Sequence, residues 1–293
     1  MKSEDTSLEI TLKRIAEDQW LAGIKDYVPS AWIGHAPFLK YLIREVNPKT
    51  FVELGTHYGL SYFVACETIN ELNLATKCYA IDHWSGDKHA SYYDDSVYES
   101  VKNLNNKYQR FSKLLRMTFL EGRSAISEPI DLLHIDGLHT YEAVKEDFET
   151  WLPKMNSNGI IILHDIHVRR EDFGVYKLWS EIKQRFQTME FVGSYGLGVV
   201  FLGEIIGEEI KLLKKYADEG DIGQVQGTFE NHSDVAVQSY RIRETENLQR
   251  TIHELTEQLS EKSTQLDLIT NSLSWSITKP LRTLKQYLKG TLK

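Results

Sequence analysis

Phe51-Val52-Glu53-Leu54-Gly55-Thr56-His57-Tyr58-Gly59-Leu60-Ser61 is the stretch on which the reading of this chain turns. An apolar entry runs into two glycines and then into a helical pattern, so the segment reads as a strand, a tight turn and a helix start. Gly55 and Gly59 permit backbone angles and a close approach that a side chain would forbid, and the loop between them can wrap a ligand. Glu53 ends the strand where it can meet a charged or hydroxylated partner. A second short apolar run, Tyr79-Ala80-Ile81-Asp82, closes on an acid. In a doubly wound sheet, an acid at the end of the second strand lies where ribose hydroxyls are held. The expected fold class is therefore α/β, a Rossmann-like doubly wound sheet with helices on both faces.

Two ligand classes compete for that pair. A dinucleotide site uses Gly-x-Gly-x-x-Gly, whose extra glycines let a pyrophosphate sit on the helix N-terminus. Here Thr56, His57 and Tyr58 fill the middle of the loop and the triplet is absent. Glu53-Leu54-Gly55 with Gly59 instead resembles the first motif of the class I S-adenosylmethionine-dependent methyltransferases, whose cofactor has a ribose and an amino-acid tail but no phosphate. The resemblance implies cofactor contacts from Glu53, Gly55, Thr56, Tyr58, Gly59, Ser61 and Asp82.

Composition sets outer limits. The 293 residues, 41% hydrophobic and 11% aromatic, can bury one full α/β core with an appendage left over. With 42 acids against 34 bases the net charge is -8, which argues against broad nucleic-acid binding. Cys66 and Cys78 lack metal-ligand spacing and cannot build a disulfide framework. No run approaches the roughly 18 apolar residues of a membrane span, and Met1-Lys2-Ser3-Glu4-Asp5 lacks a signal-peptide core, so a cytoplasmic protein is expected.

Residues 1–30 read as a helical edge. Phe38, Leu39, Leu42, Ile43 and Val46 recur at helical spacing and lead through Asn47-Pro48 into the first strand, with His35 ahead of that helix. After Asp82, the segment from His83 and Trp84 to Tyr93 is polar and aromatic at once, which suits an adenine or sugar face and makes His83 and Trp84 candidate cofactor contacts. Residues 97–113 look helical. Met117 to Ser124 reads as a strand leading into a loop, with Arg123 and Ser124 where class I methyltransferases usually contact the adenine.

The richest segment runs from Ile130 to Tyr141. Its strand ends at Asp136, and a helix from Tyr141 to Trp151 is stopped by Pro153. Gly159-Ile160-Ile161-Ile162-Leu163-His164-Asp165 repeats the design, an apolar strand delivering two polar residues to the same edge. Asp136, His139, His164 and Asp165 therefore converge at the carboxyl ends of the strands, where open α/β sheets place ligands. Oxygen and imidazole donors suit a divalent ion such as Mg²⁺ or Mn²⁺.

Asp136-Gly137-x-His139-x-Tyr141-Glu142, the run from Asp147 to Pro153, Gly159 and His164-Asp165 resemble the methyltransferase domain family numbered 24, often found in bacterial polysaccharide clusters. The resemblance covers roughly residues 31–203, with Phe173-Gly174-Val175 and Gly196-Leu197-Gly198-Val199 near its end. Related macrocin-type and mycinamicin-type sugar O-methyltransferases hold a divalent metal with an acid at one strand end and a pair at the next. They use a histidine three residues after the first acid as base. Carried over, this implies Asp136 and Asp165 as metal ligands, with His164 beside them as the third member of the set, His139 as base and Asp136 also in contact with the cofactor. His164 stands where those enzymes carry an acid.

The tail changes character. Residues 206–247 are polar with broken periodicity and read as a helical turn and linker. Leu248, Ile252, Leu255, Leu259, Lys262, Leu266, Ile269 and Leu273 alternate spacings of four and three, a heptad seam expected to form a coiled coil over 248–278 and to self-associate as a dimer or trimer. From Lys279 the chain is basic and amphipathic, able to meet an anionic membrane surface and to hold the protein at the inner face of a membrane. The tail after the seam resembles one that follows coiled coils in bacterial surface-polysaccharide enzymes.

These features lead to an expected function: transfer of a methyl group from S-adenosylmethionine to a hydroxyl, with a sugar of a surface glycan as acceptor, a glycan-assembly glycosyltransferase as partner and no nucleic acid. The rivals are a nicotinamide-dependent sugar-modifying enzyme and a non-catalytic scaffold that only carries the coiled coil.

Overall fold

The computed structural model describes residues 2–26, 28, 30–170 and 172–281, and divides the chain into two compact units, residues 1–238 and 239–293. Seven segments of the first unit form one sheet: β1 (Thr50–Leu54), β2 (Lys77–Asp82), β3 (Ser112–Arg116), β4 (Ile130–Ile135), β5 (Met155–His164), β6 (Gln187–Phe191) and β7 (Leu197–Phe201). Their order is β3-β2-β1-β4-β5-β7-β6, with β7 antiparallel to both of its neighbours and the other pairs parallel. The direction of winding reverses between β1 and β4, so a crevice opens at the carboxyl ends of those two strands. Leu54 lies opposite Ile81 on one side and Ile135 on the other, which brings Gly55, Asp82 and Asp136 to one edge.

Period-two alternation sends side chains to two cores. Phe51, Cys78, Ala80, Leu132, Ile160 and Ile162 pack on one face. The helices there are α1 (Lys2–Glu17), α2 (Ala36–Val46), α3 (Leu60–Glu71) and α4 (Asp95–Asn105). Val52, Leu54, Ile81, Leu133, Ile135, Ile161 and Leu163 pack on the other. That face is covered by α5 (Phe119–Ala125), α6 (Tyr141–Trp151) and α7 (Val175–Arg185). Both faces are apolar because both are buried, as the doubly wound reading requires.

Three local readings need correction. The helix expected over 97–113 ends at Asn105, and the strand expected at Met117 lies earlier, at Ser112–Arg116. Residues Phe119–Ala125 are helical instead, because Thr118 and Glu121 form a reciprocal capping box that satisfies two backbone amides. Arg123 and Ser124 therefore lie on α5 rather than on a loop.

The segment 206–247 is also no linker. It contains α8 (Glu208–Tyr216) and the first half of α9 (Ile222–Thr270). Val225, Phe229 and Ala236 of α9 are buried in the core, with Phe229 against the Phe38, Tyr41 and Phe191 rings.

In the second unit the helix continues to Thr270, breaks at Asn271 and Ser272, and restarts as α10 (Leu273–Ile277) under a Ser272 cap. The seam leucines and isoleucines from Leu248 to Leu273 are 52% to 81% exposed. Leu273 lies beyond the break, so the uninterrupted seam ends at Ile269. The basic tail from Arg282 onward lies outside the described residues, among which no helix is long and apolar enough to cross a membrane.

Candidate active site

Gly55 has φ 83, the left-handed region open to glycine, and it passes so close to the end of β4 that a Cβ would meet the Asp136 carbonyl oxygen at 2.2 Å. The loop that follows is fixed from beneath by Asp82. Its Oδ2 accepts from the amides of Thr56 and His57, each at 2.9 Å, and its Oδ1 accepts from the Trp84 amide at 2.7 Å. The strand-end acid thus shapes the glycine loop while still lining the cleft above it.

Two clefts lie over this edge, of about 290 Å³ and about 270 Å³. The first runs from Asp82, His83 and Tyr93 past Gly55 to Thr118, Phe119 and Asp147. The second is bounded by Ser30, Thr56, Tyr58, Gly59, Ser61, His164 and Asp165. Gly55, His57, Ala90, Asp136 and His139 line both, so the clefts meet at Asp136 and His139.

At that junction His139 Nε2 lies 2.9 Å from Asp165 Oδ2 and 3.4 Å from Asp136 Oδ1. His164 Nδ1 faces the same two carboxyl groups at 3.5 and 3.3 Å, while its Nε2 donates to the Ser194 carbonyl at 2.9 Å. Burial opposes charge on both rings, yet the two aspartates win: His139 is pushed up to about 9 and His164 up to about 10. Burial likewise opposes charge on Asp136 and Asp165, and the imidazoles hold both below the ordinary carboxyl range. Asp165 keeps φ 60, an uncommon backbone angle for a non-glycine residue, which aims its carboxyl at His139. The His139 ring stacks on Phe173, centroids 4.8 Å apart and planes 5° apart. His35 also donates to Ser194, and burial first, then the charge on His164, lowers it to about 3.

Asp136, His139 and Asp165 each bring a donor atom to within 4.8 Å of one another. His139 thus joins the two aspartates in that grouping, in the place foreseen for His164. His164 Nδ1 still faces both acids. His167, near Glu190, lines neither cleft.

Of the foreseen cofactor contacts, Gly55, Thr56, Tyr58, Gly59, Ser61, Asp82, His83 and Asp136 line the clefts, and four do not. Glu53 is fully buried behind the loop, its Oε2 accepting from Ser61 Oγ at 2.6 Å and facing His134 Nδ1 at 2.8 Å. The Trp32 indole donates to His134 Nε2, which leaves the ring proton on Nδ1, toward Glu53. Trp84 is fully buried, donates to the His57 carbonyl and packs on Tyr98, so it plugs the core beneath the loop. Arg123 Nε donates to the Thr150 carbonyl at 2.9 Å, which ties α5 to α6, and its neighbour Ser124 lines neither cleft. The cleft residues Phe119 and Asp147 were not foreseen. The capping pattern from Thr118 to Glu121 is the signal that places the sheet edge just before Phe119.

Among solved structures, the O-methyltransferase TomG of Streptomyces achromogenes, involved in tomaymycin synthesis and in complex with SAM, is 14% identical with TM-score 0.46, covering 66% of this chain and 90% of that one. The O-methyltransferase of Bacillus cereus in complex with SAH is 14% identical with TM-score 0.44, covering 65% and 90%. The uncharacterized protein y4gI of Sinorhizobium fredii (strain NBRC 101917 / NGR234) is 43% identical over 187 residues, 64% of this chain. The chain spans about a fifth, 21%, of the length of that relative. Residues 52–166, which hold the glycine loop, Asp82, Asp136, His139 and the His164-Asp165 pair, match the family described as a methyltransferase domain.

Proposed function

We propose that the chain transfers a methyl group from S-adenosylmethionine to an acceptor hydroxyl, with His139 as the base. The observation that carries this reading is the meeting of two clefts at one imidazole: a donor in the first and an acceptor in the second share Asp136 and His139 as their common wall. The residues fit the cofactor. Gly55 leaves room where a side chain would strike backbone, and Asp82, His83 and Tyr93 line the first cleft beside it. When bound, the cofactor supplies an electrophilic methyl on a sulfonium. Asp136 and Asp165 hold the resting proton on His139 Nε2, and once it has left, that nitrogen takes the proton of the acceptor hydroxyl as the new bond forms. A positive charge brought near Asp136 would make it easier for His139 to give up its resting proton.

A divalent ion is the second reading. Asp136, Asp165 and an imidazole give an oxygen and nitrogen donor set that fits one, and the ion would polarise the acceptor hydroxyl. His139 offers the same Nε2 to either role, so ligand and base are competing assignments for one atom. Full activity after exhaustive chelation removes the ion from the scheme, whereas lost activity restored by one divalent metal removes His139 Nε2 as base.

For the acceptor we favour a sugar hydroxyl of a surface glycan. The second cleft carries the hydroxyls of Ser30, Thr56 and Tyr58, which can exchange hydrogen bonds with a polyol. The tail extends the proposal to a partner enzyme of glycan assembly and to an anionic membrane surface at the cytoplasmic face.

Asp82→Ala frees the amides of Thr56, His57 and Trp84 together. It should weaken S-adenosylhomocysteine by about 1.5–3 kcal/mol, roughly 10- to 100-fold. Calorimetry with that ligand and with NAD measures this and separates the rivals, since unchanged affinity removes Asp82 from cofactor binding and NAD binding alone removes the methyl donor. For the seam, light scattering should give a dimer or trimer for the full chain and a monomer after truncation at Gln238. A monomeric full chain rules the coiled coil out.

A further inference from the structure

Away from His139, the first cleft ends in a patch that the methyl-transfer chemistry leaves unused. Phe119, Leu138 and Ala143 give it apolar walls, and Asp147 is set among them. Asp147 follows Ala143 by four residues on α6, so both project from one helix face into the cleft. Gly137 keeps the gap open. A Cβ there would lie 2.6 Å from the Phe119 ring and 3.3 Å from Asp147 Oδ2, which shows the ring and the carboxyl bordering one space.

Asp147 is half-buried and has no hydrogen-bond or ion-pair partner among the described residues. Burial first, then the neighbouring Glu146, pushes its carboxyl up to about 7. Its oxygens border the open cleft, so a ligand seated there can supply the partner that the described residues do not.

We infer that Asp147 reads the base of the cofactor, accepting a hydrogen bond from the exocyclic amine of an adenine held against Phe119 and Leu138. The inference rests on the methyl-donor reading above. A ribose hydroxyl fits the patch less well, since its walls are flat and apolar and suit the faces of a base. Above about pH 7 the carboxyl offers acceptors alone, which favours an amine over the carbonyl that hypoxanthine presents at the same position.

The test is calorimetric titration of the full chain at pH 8 with S-adenosylhomocysteine and with S-inosylhomocysteine, in which a carbonyl replaces the amine. The wild type should bind the adenosyl ligand about tenfold tighter or more. Asp147→Ala should bring the two affinities together, and Asp147→Asn, whose amide can donate to the carbonyl, should favour the inosyl ligand. Wild-type binding without discrimination, or a preference unchanged in both variants, overturns the role of Asp147 alone. Binding of neither ligand by a folded wild type overturns the methyl-donor reading and this inference with it.

Discussion

His139→Ala should lower turnover by about 10²–10⁴ while leaving S-adenosylhomocysteine affinity nearly intact. Of the other imidazoles, His57 lines both clefts but lies against the Tyr58 and Tyr93 rings. His164 is committed through Nε2 to the Ser194 carbonyl, and His167 lines neither cleft. The pH profile gives the sharper test. His139 is raised from 6.5 to about 9, so near pH 7 only about one molecule in a hundred carries the free base. Wild-type turnover should rise about tenfold per pH unit and level off near 9, and the variant's residual rate should lack that rise.

Stability runs the other way. A raised histidine contributes stability that is fully present below its unfolded value of about 6.5 and is lost as pH climbs through about 9. The wild-type melting temperature should therefore fall more steeply between pH 7 and 10 than that of His139→Ala. Full activity in the variant, or a wild-type rate that is flat from pH 6 to 9, removes His139 as base.

Sequence reasoning located β1, β2, β4 and β5 and their carboxyl ends because the signals were local, whereas β3 was placed a few residues late. The helix Tyr141–Trp151 begins after the Thr140 cap and ends just before Pro153, and Asp136, His164 and Asp165 lie at the ends of apolar strands, with His139 in the turn after the first of them. Glu53 shows a signal that was present but outweighed. It shares strand parity with Phe51, which faces the core, so its burial toward His134 followed from period two, whereas its place beside the glycines argued for a ligand. Trp84 is ambiguous in principle, since an aromatic residue in a polar loop can line a site or plug the core beneath it.

Other features had no local signal. Val225, Phe229 and Ala236 follow helical spacing, but only the fold brings α9 to the rings of Phe38, Tyr41 and Phe191. Asp147 reads as an ordinary polar residue within a helix. Its isolation at a cleft wall depends on Phe119 and Gly137, which arrive from other elements.

Gly55→Ala should destabilise the protein by about 3–5 kcal/mol, more than any other single methyl group added to the glycine loop. Two costs add there. The residue holds φ 83, and placing alanine in the left-handed region costs roughly 1 kcal/mol or more. The larger cost is steric, because the new Cβ would lie 2.2 Å from the Asp136 carbonyl oxygen and 2.6 Å from its carbon. Those are backbone atoms at the end of β4, beside the Leu54 to Ile135 pairing, and no side-chain rotation can relieve the clash. Gly59 differs, since its Cβ would press on the Phe63 ring at 2.7 Å, and a ring can shift.

Gly220 supplies the control, with φ 102 and nothing within 4 Å of a built Cβ. Gly220→Ala should show the backbone cost alone, roughly 1 kcal/mol. Urea unfolding of both variants, followed by the midpoint at constant slope, isolates the steric part as their difference. Gly55→Ala should also lose S-adenosylhomocysteine binding at temperatures where it remains folded, because moving the Asp136 backbone moves the wall shared by both clefts. Equal losses of stability in the two variants would mean that the glycine loop and the end of β4 do not meet, and the junction that brings donor and acceptor to His139 would go with them.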